Sequence, residues 1–394
     1  MKQRNRLLTT ALAAALLLTG CGAPPEETHA TLPPDTTAPD LFTEPETPEI
    51  SDYLQSPDTE IPVFPVRGTW SCKFSGDSHI DEKLGRYYVY EGGEMCLTLG
   101  IETEGSNALL DAGVIFHLNG IPQPYRLEGE TEYRYFHAFP YEGETHDGEP
   151  YMKKEEKIYF IPVDGQEGDV LTLSMLTIRN SEYLEKEPVH IPDCLFSVLG
   201  MERQVRFDET PEPFDYEKPP VLLSNLSTSY VDCTQEEIGS WTADKLQGDR
   251  EMYMYVNDLP VFWDDSDFDG NIYGISSDKP IKLRFEVWGS PHFTYGLTFY
   301  VNHEPVTAEG LDMIPVEIHN GQKTVIEAEL ILPDFDGDSI IYAGLIPQNS
   351  WMSPIENACY ASLIHQQLQL LDLADRKELD AERMKRLEEQ RSGE

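Results

Sequence analysis

The residues most suggestive of chemistry are Asp265-Ser266-Asp267-Phe268-Asp269-Gly270-Asn271-Ile272. Carboxylates at alternate positions let one turning backbone aim three oxygens at a hard cation, and a following glycine permits the sharp turn. Asp265, Asp267 and Asp269 would supply those carboxylates, Asn271 a backbone carbonyl, and Ile272 the apolar anchor. The twelfth position is Ser276 where such a loop expects a bidentate Glu, and Asp278 comes two residues too late. The flanks read as strands and turns, so the pattern supports either a weak extracellular-type calcium site or a solvated acidic turn, with the missing Glu favouring the turn. No other cofactor is suggested.

A second candidate is aromatic. If residues 133–141 are extended, Tyr133, Tyr135, His137, Phe139 and Tyr141 lie on one side, and Arg134, Phe136 and Pro140 on the other. Exposed, Tyr133, Tyr135 and Tyr141 would offer rings for stacking sugar or peptide; buried, the row is a core strand, the reading that strand preference for aromatics favours. Catalytic patterns are missing. The sequence holds no Gly-x-Ser-x-Gly elbow, no His-Glu-x-x-His and no phosphate-binding glycine loop, and its ten histidines lack ligand spacing. Acid pairs discriminate nothing among 71 carboxylates. The six cysteines show no Cys-x-x-Cys, which argues against zinc and against a full disulfide framework. We therefore read the chain as non-enzymatic.

The elements that would carry these residues begin with an address. Lys2, Arg4 and Arg6 precede an apolar run from Leu7 to Leu18, which ends in Leu18-Thr19-Gly20-Cys21. About 12 apolar residues are too few to span a bilayer and suit a signal-peptide core. Leu-Thr-Gly-Cys resembles the lipobox of bacterial lipoproteins. That resemblance covers residues 1–21 and implies cleavage before Cys21, a diacylglycerol on its sulfur, and a lipid anchor on the extracytoplasmic side of the cell membrane.

Acidic residues outnumber Lys and Arg by 71 to 29, a formal charge of −42. Three of those basic residues and no acid precede Cys21, so cleavage takes the charge to −45. Such a polyanion repels nucleic acid, which is excluded as a partner. From Gly22 to Val66 there is no Lys or Arg but there are ten prolines. With little to bury, residues 21–61 read as a disordered stalk, about forty residues that reach ~35 Å as a coil or ~120 Å as polyproline II.

Beyond Arg67, short alternating apolar runs are punctuated by Gly, Asn, Asp and Pro, the period of antiparallel strands. Gly113 to Pro122 reads against Gly296 to Pro305 at a constant offset of 183, each with a strand, an Asn at a tight turn and a proline three residues later. Cys96 to Ile101 matches Lys282 to Val287. Prolines between Thr210 and Pro220 mark a boundary. The expected fold is mainly β: two tandem β-sandwich domains of immunoglobulin-like or jelly-roll type, at 62–210 and 219–352. A C-terminal helix over 353–391 follows, because Ser353-Pro354-Ile355-Glu356 forms a capping box and Ile355, Cys359, Leu363, Leu370 and Leu373 share one helical face.

The function these features support is a lipid-anchored surface module for binding or assembly, with an unidentified protein or glycan ligand. A solute- or glycan-capturing lipoprotein serving a transporter shares the address, and a wall-polymer hydrolase would need a cleft with perturbed carboxylates.

Overall fold

The computed structural model describes residues 68–372 apart from 82–83, 106–111, 141, 144, 147–148, 180–199, 235–249, 261–271, 276–278, 290–293, 320, 334, 336–337, 349–362 and 365–367; beyond 372 it describes 377, 381 and 385. The signal segment, Cys21, the stalk, Tyr141 and the Asp265 to Asn271 loop lie outside the described residues.

The described chain is mainly β. Its first half comprises β1 (Gly68–Ser75), β2 (Ser78–Asp81), β3 (Gly85–Tyr90), β4 (Met95–Gly105), β5 (Ala112–Leu118), β6 (Ile121–Gln123), β7 (Arg126–Leu127), β8 (Phe136–Phe139), β9 (Thr145–His146), β10 (Glu149–Phe160), β11 (Val170–Arg179) and β12 (Gly200–Phe207). One sheet runs β1-β4-β10-β7 with β9 on β10, and the other runs β2-β3-β12-β11-β5-β6 with β8 on β5. Phe74, Leu99, Ile101 and Phe160 from the first sheet and Tyr90, Phe116, Met175 and Phe207 from the second share one buried core. The period-two patterning is thus the pattern of two sheets facing each other.

The second half comprises β13 (Val221–Asp232), β14 (Arg250–Val256), β15 (Leu259–Pro260), β16 (Ile272–Ile275), β17 (Ile281–Gly289), β18 (Thr294–Val301), β19 (Glu304–Ala308), β20 (Ile314–Glu317), β21 (Gln322–Leu330), β22 (Asp338–Gln348), β23 (Leu363–Ile364) and β24 (Leu368–Asp372). Here one hydrogen-bonded path, β15-β14-β17-β21-β13-β19-β18-β22-β24-β16, folds over a single core that includes Leu223, Phe285, Phe299 and Leu345. β13 joins its two layers, pairing antiparallel with β21 and parallel with β19.

The C-terminal expectation needs correction. Leu363–Ile364 pairs with β22, and Leu368–Asp372 pairs with both β22 and β16, so this part of the expected helix is strand. Leu370 is fully buried. An open sheet edge supplies backbone partners that outweigh the weak helical preference of an apolar run. The expected helix start at Ser353 lies outside the described residues.

The two halves share their pairings. β1·β4, β4·β10, β5·β6, β5·β8, β5·β11 and β11·β12 recur as β14·β17, β17·β21, β18·β19, β18·β20, β18·β22 and β22·β24. The parallel pair β3·β12 recurs as the parallel pair β16·β24. Asn119 (φ 52°) and Asn302 (φ 51°) stand at corresponding turns and donate their amides to Thr172 and Ile340 carbonyls on corresponding strands. A third copy of the turn, which sequence reading overlooked, is Asn257-Asp258-Leu259-Pro260. Asn257 (φ 50°) donates to the Lys282 carbonyl.

The halves meet along β5–β11 and β18–β22. Ile115, Leu176 and Ile178 pack on Tyr300, Ile340, Tyr342 and Ile346 in a third buried cluster. Every residue of β5 is buried because one face serves the first core and the other serves this contact. His117 Nε2 shares a hydrogen bond with Tyr300 Oη, and these residues occupy the same repeat position, 183 apart. Backbones come close at Gly120 and Gly296: a Cβ on Gly296 would stand 2.8 Å from the Gly120 carbonyl oxygen. Gln348 closes this corner by donating to the Asn119 carbonyl at 2.9 Å.

Candidate functional site, a groove beside the linker

Where β10 ends, Ile161 to Gly165 run past the segment that connects the halves. Prolines 211, 213, 219 and 220 keep that segment extended. Tyr216 ties it down: its hydroxyl donates to the Ile161 carbonyl at 2.6 Å and accepts from the Ile161 amide at 2.8 Å. Tyr135 adds a second tie by donating to the Glu217 carbonyl at 3.0 Å. Gln123 supports the other side, since Nε2 donates to the Ile161 carbonyl at 3.0 Å and Oε1 accepts from the Val163 amide at 2.9 Å. Burial pushes the Tyr216 phenol above its ordinary pKa, so it stays protonated and able to donate.

These ties leave a groove of about 370 Å³ with an apolar floor that includes Pro122, Pro162, Val163 and Phe214. Phe214 is 45% exposed. Its ring centre lies 5.0 Å from Tyr133 and 4.6 Å from Tyr216, and the latter two are 5.1 Å apart, all three in tilted or edge-on arrangements. Tyr133 is also held from behind. It donates to Glu94 at 2.6 Å, and Glu94 grips Arg126 through both oxygens while Arg126 stacks on Tyr159 at 4.4 Å. Burial raises the Glu94 pKa, but hydrogen bonds from Arg126 and Tyr133 outweigh it, and the carboxyl sits below its ordinary range.

The rim is acidic. The described lining carries Asp164, Glu212, Asp215 and Asp312 with one cation, Lys218, which lies 4.0 Å from Asp312. The described lining contains no Ser, Thr, Cys or His.

Of the aromatic row expected from sequence, Tyr135 lines this site and Tyr133 packs against its Phe214 and Tyr216 rings, while His137 and Phe139 are buried in the first half. The row is therefore divided between groove and core. Phe214, Tyr216 and Gln123 were missed. The available signal was two aromatic residues within a proline-bounded segment, where a mere spacer has no need of rings. Among the described residues no group of three or more His, Cys, Asp or Glu could hold a metal ion.

No protein-family model and no curated protein matches this sequence. Among solved structures, the chain is similar to the Salmonella enterica SafA pilin in complex with the SafB chaperone, at 12% identity over 77% of this chain and 97% of that one, TM-score 0.19. It is also similar to the C-terminal domain of the Streptococcus agalactiae AgI/II polypeptide BspA, at 8% identity over 77% and 100%, TM-score 0.18. A third is the CupB6 tip adhesin of Pseudomonas aeruginosa, at 8% identity over 78% and 99%, TM-score 0.17. Scores this low carry no conclusion about function.

Proposed function

We propose that this protein is a lipid-anchored, non-catalytic binding module, displayed on a stalk at the extracytoplasmic side of the cell membrane, with the linker groove as its binding site. The observation that carries the reading is the groove itself: an exposed ring, Phe214, on an apolar floor, fastened by side-chain ties to a rigid β body. The recurrence of seven strand pairings supports two tandem β-sandwich domains, with the second extending to at least Asp372. The lipobox-like Leu18-Thr19-Gly20-Cys21 supports the anchor, and the proline-rich stretch after it supports the stalk.

The test is made in intact cells. A photo-crosslinking amino acid at Phe214 should capture a discrete partner, whereas the same probe at Ile80, exposed on β2, should not. Equal capture at both positions removes the groove reading. Cys21→Ala should abolish lipid labelling and release the protein or leave it as precursor; unchanged retention without lipid removes the anchor.

A further inference from the structure

We infer that the groove receives an extended basic peptide segment of another protein, whose backbone pairs with Ile161 in place of the Tyr216 hydroxyl. This rests on the groove being the binding site, and its support comes from the other half of the molecule. Through the β4·β10 and β17·β21 registers, Ile158 corresponds to Ala328, which places Ile161 opposite Ile331 in the repeat. Ile331 donates its amide to the Leu222 carbonyl of β13 at 3.0 Å, and on the other side of β13 Thr307 of β19 donates to the Pro220 carbonyl at 3.1 Å. In the second half, then, this place holds a strand.

In the first half side chains hold it. The Tyr216 hydroxyl accepts from Ile161 N–H and donates to Ile161 C=O, the two bonds an adjacent strand would make, and the Gln123 amide does the same between Ile161 and Val163. The Tyr216 hydroxyl lines the groove and is an exchangeable partner, because a peptide can take over its bonds while it turns to the peptide itself, whereas Gln123 is fully buried and keeps Val163. A saccharide lacks the alternating backbone N–H and C=O groups with which an extended peptide pairs. The charge of the guest follows from the described lining, which holds four carboxylates, Asp164, Glu212, Asp215 and Asp312, against one lysine. The chain's own Gly22 to Val66 does not match, since it has no Lys or Arg and ten prolines that cannot donate.

Titration of the full chain with Ac-(Lys-Val)4-amide should perturb groove amides in NMR spectra. Its (Glu-Val)4 counterpart and a version N-methylated at alternate residues should not bind. Tyr216→Phe leaves the Ile161 N–H without its stand-in and should tighten (Lys-Val)4 binding about tenfold. Combining Glu212→Gln, Asp215→Asn and Asp312→Asn should weaken it about tenfold, while Asp77→Asn, Glu155→Gln and Glu327→Gln, the same charge removed elsewhere, should leave it nearly unchanged. Equal binding by the N-methylated peptide overturns the inference, as does equal weakening by the two triple variants. If chitohexaose perturbs the groove and no peptide does, the groove reading survives and this inference fails. If nothing perturbs it, both fail.

Discussion

The two halves build similar sheets but finish one edge differently. In the second half the far side of β21 is covered by the twelve residues of β13, and Thr324 and Ile326 beneath it are fully buried. In the first half the corresponding side of β10, among the described residues, meets β7 at Ile158 and Tyr159 and β9 at Glu149 and Pro150. Among the described residues no strand pairs with the far side of Tyr151 to Glu156. The positions that match Thr324 and Ile326 are Lys154 and Glu156, and Lys154 pairs with Glu142 at 2.9 Å. Charges that point inward at an edge make a further strand costly, so this part of the edge is defended by charge. Among the described residues it is at Ile161 that an exchangeable side chain, Tyr216, stands where a strand could be. An edge can thus be finished by backbone, by charge or by placeholders, and only the last leaves room for a guest.

The sharpest way to break the comparison is to charge both fillers. Leu223→Asp places a carboxylate in the second core and should cost on the order of 5 kcal/mol in urea unfolding. Leu127→Asp, on the half-buried two-residue stand-in, should cost about 1 to 2 kcal/mol; equal costs would show that β7 seals its half as β13 does. The shared face is tested by acid. Burial lowers the His117 pKa to about 3, so between that value and the unfolded pKa near 6.5 the unfolded chain binds the extra proton. Stability should therefore fall as pH drops from about 6.5 toward 3, by roughly 4 kcal/mol across the span, and the slope should flatten in His117→Phe. His137, also held below its ordinary pKa by burial, contributes in the same direction and remains in that variant.

Smaller effects refine the picture. Lys154→Ile removes the inward charge at β10 and should change stability by about 1 kcal/mol or less. The same variant should convert monomer to self-associating species in sedimentation velocity; a strictly monomeric variant would mean the edge is covered by other means. Asn119→Ala should cost about 1 kcal/mol by forcing positive φ on alanine, and Asn302→Ala about 1 kcal/mol more, because its Oδ1 also accepts from the Ile340 amide at 2.8 Å. Equal costs would show that the Asn302 side-chain bond adds nothing to its turn.

Period two and turn chemistry made the β class, Asn119 and Asn302 readable, because both are local. The Asn257 turn carries the same Asn-x-x-Pro spacing but lies outside the long-range alignment, and so escaped notice. The strand at Leu368 to Asp372 could not be read, since its partners are Gln369 to Ile272 and Leu370 to Ser339, across nearly a hundred residues in one case. The groove was half visible. Tyr133 and Tyr135 declared themselves as an aromatic row, but Tyr216 acts through a carbonyl 55 positions away, and no spacing encodes that distance. The contact between halves was hidden for a further reason: β5 is apolar on both faces, and the pattern does not say that the second face meets β18.

That contact has a consequence for symmetry. In a dimer of identical chains, a residue on the twofold axis must face its own copy, imidazole to imidazole or phenol to phenol. A chain that carries both halves is released from that rule. Its matching positions are 117 and 300, and they hold a histidine and a tyrosine that share a hydrogen bond. Joining the halves allows unlike groups to meet where identity would otherwise have been imposed, and the centre of the contact is complementary because its two sides are free to differ.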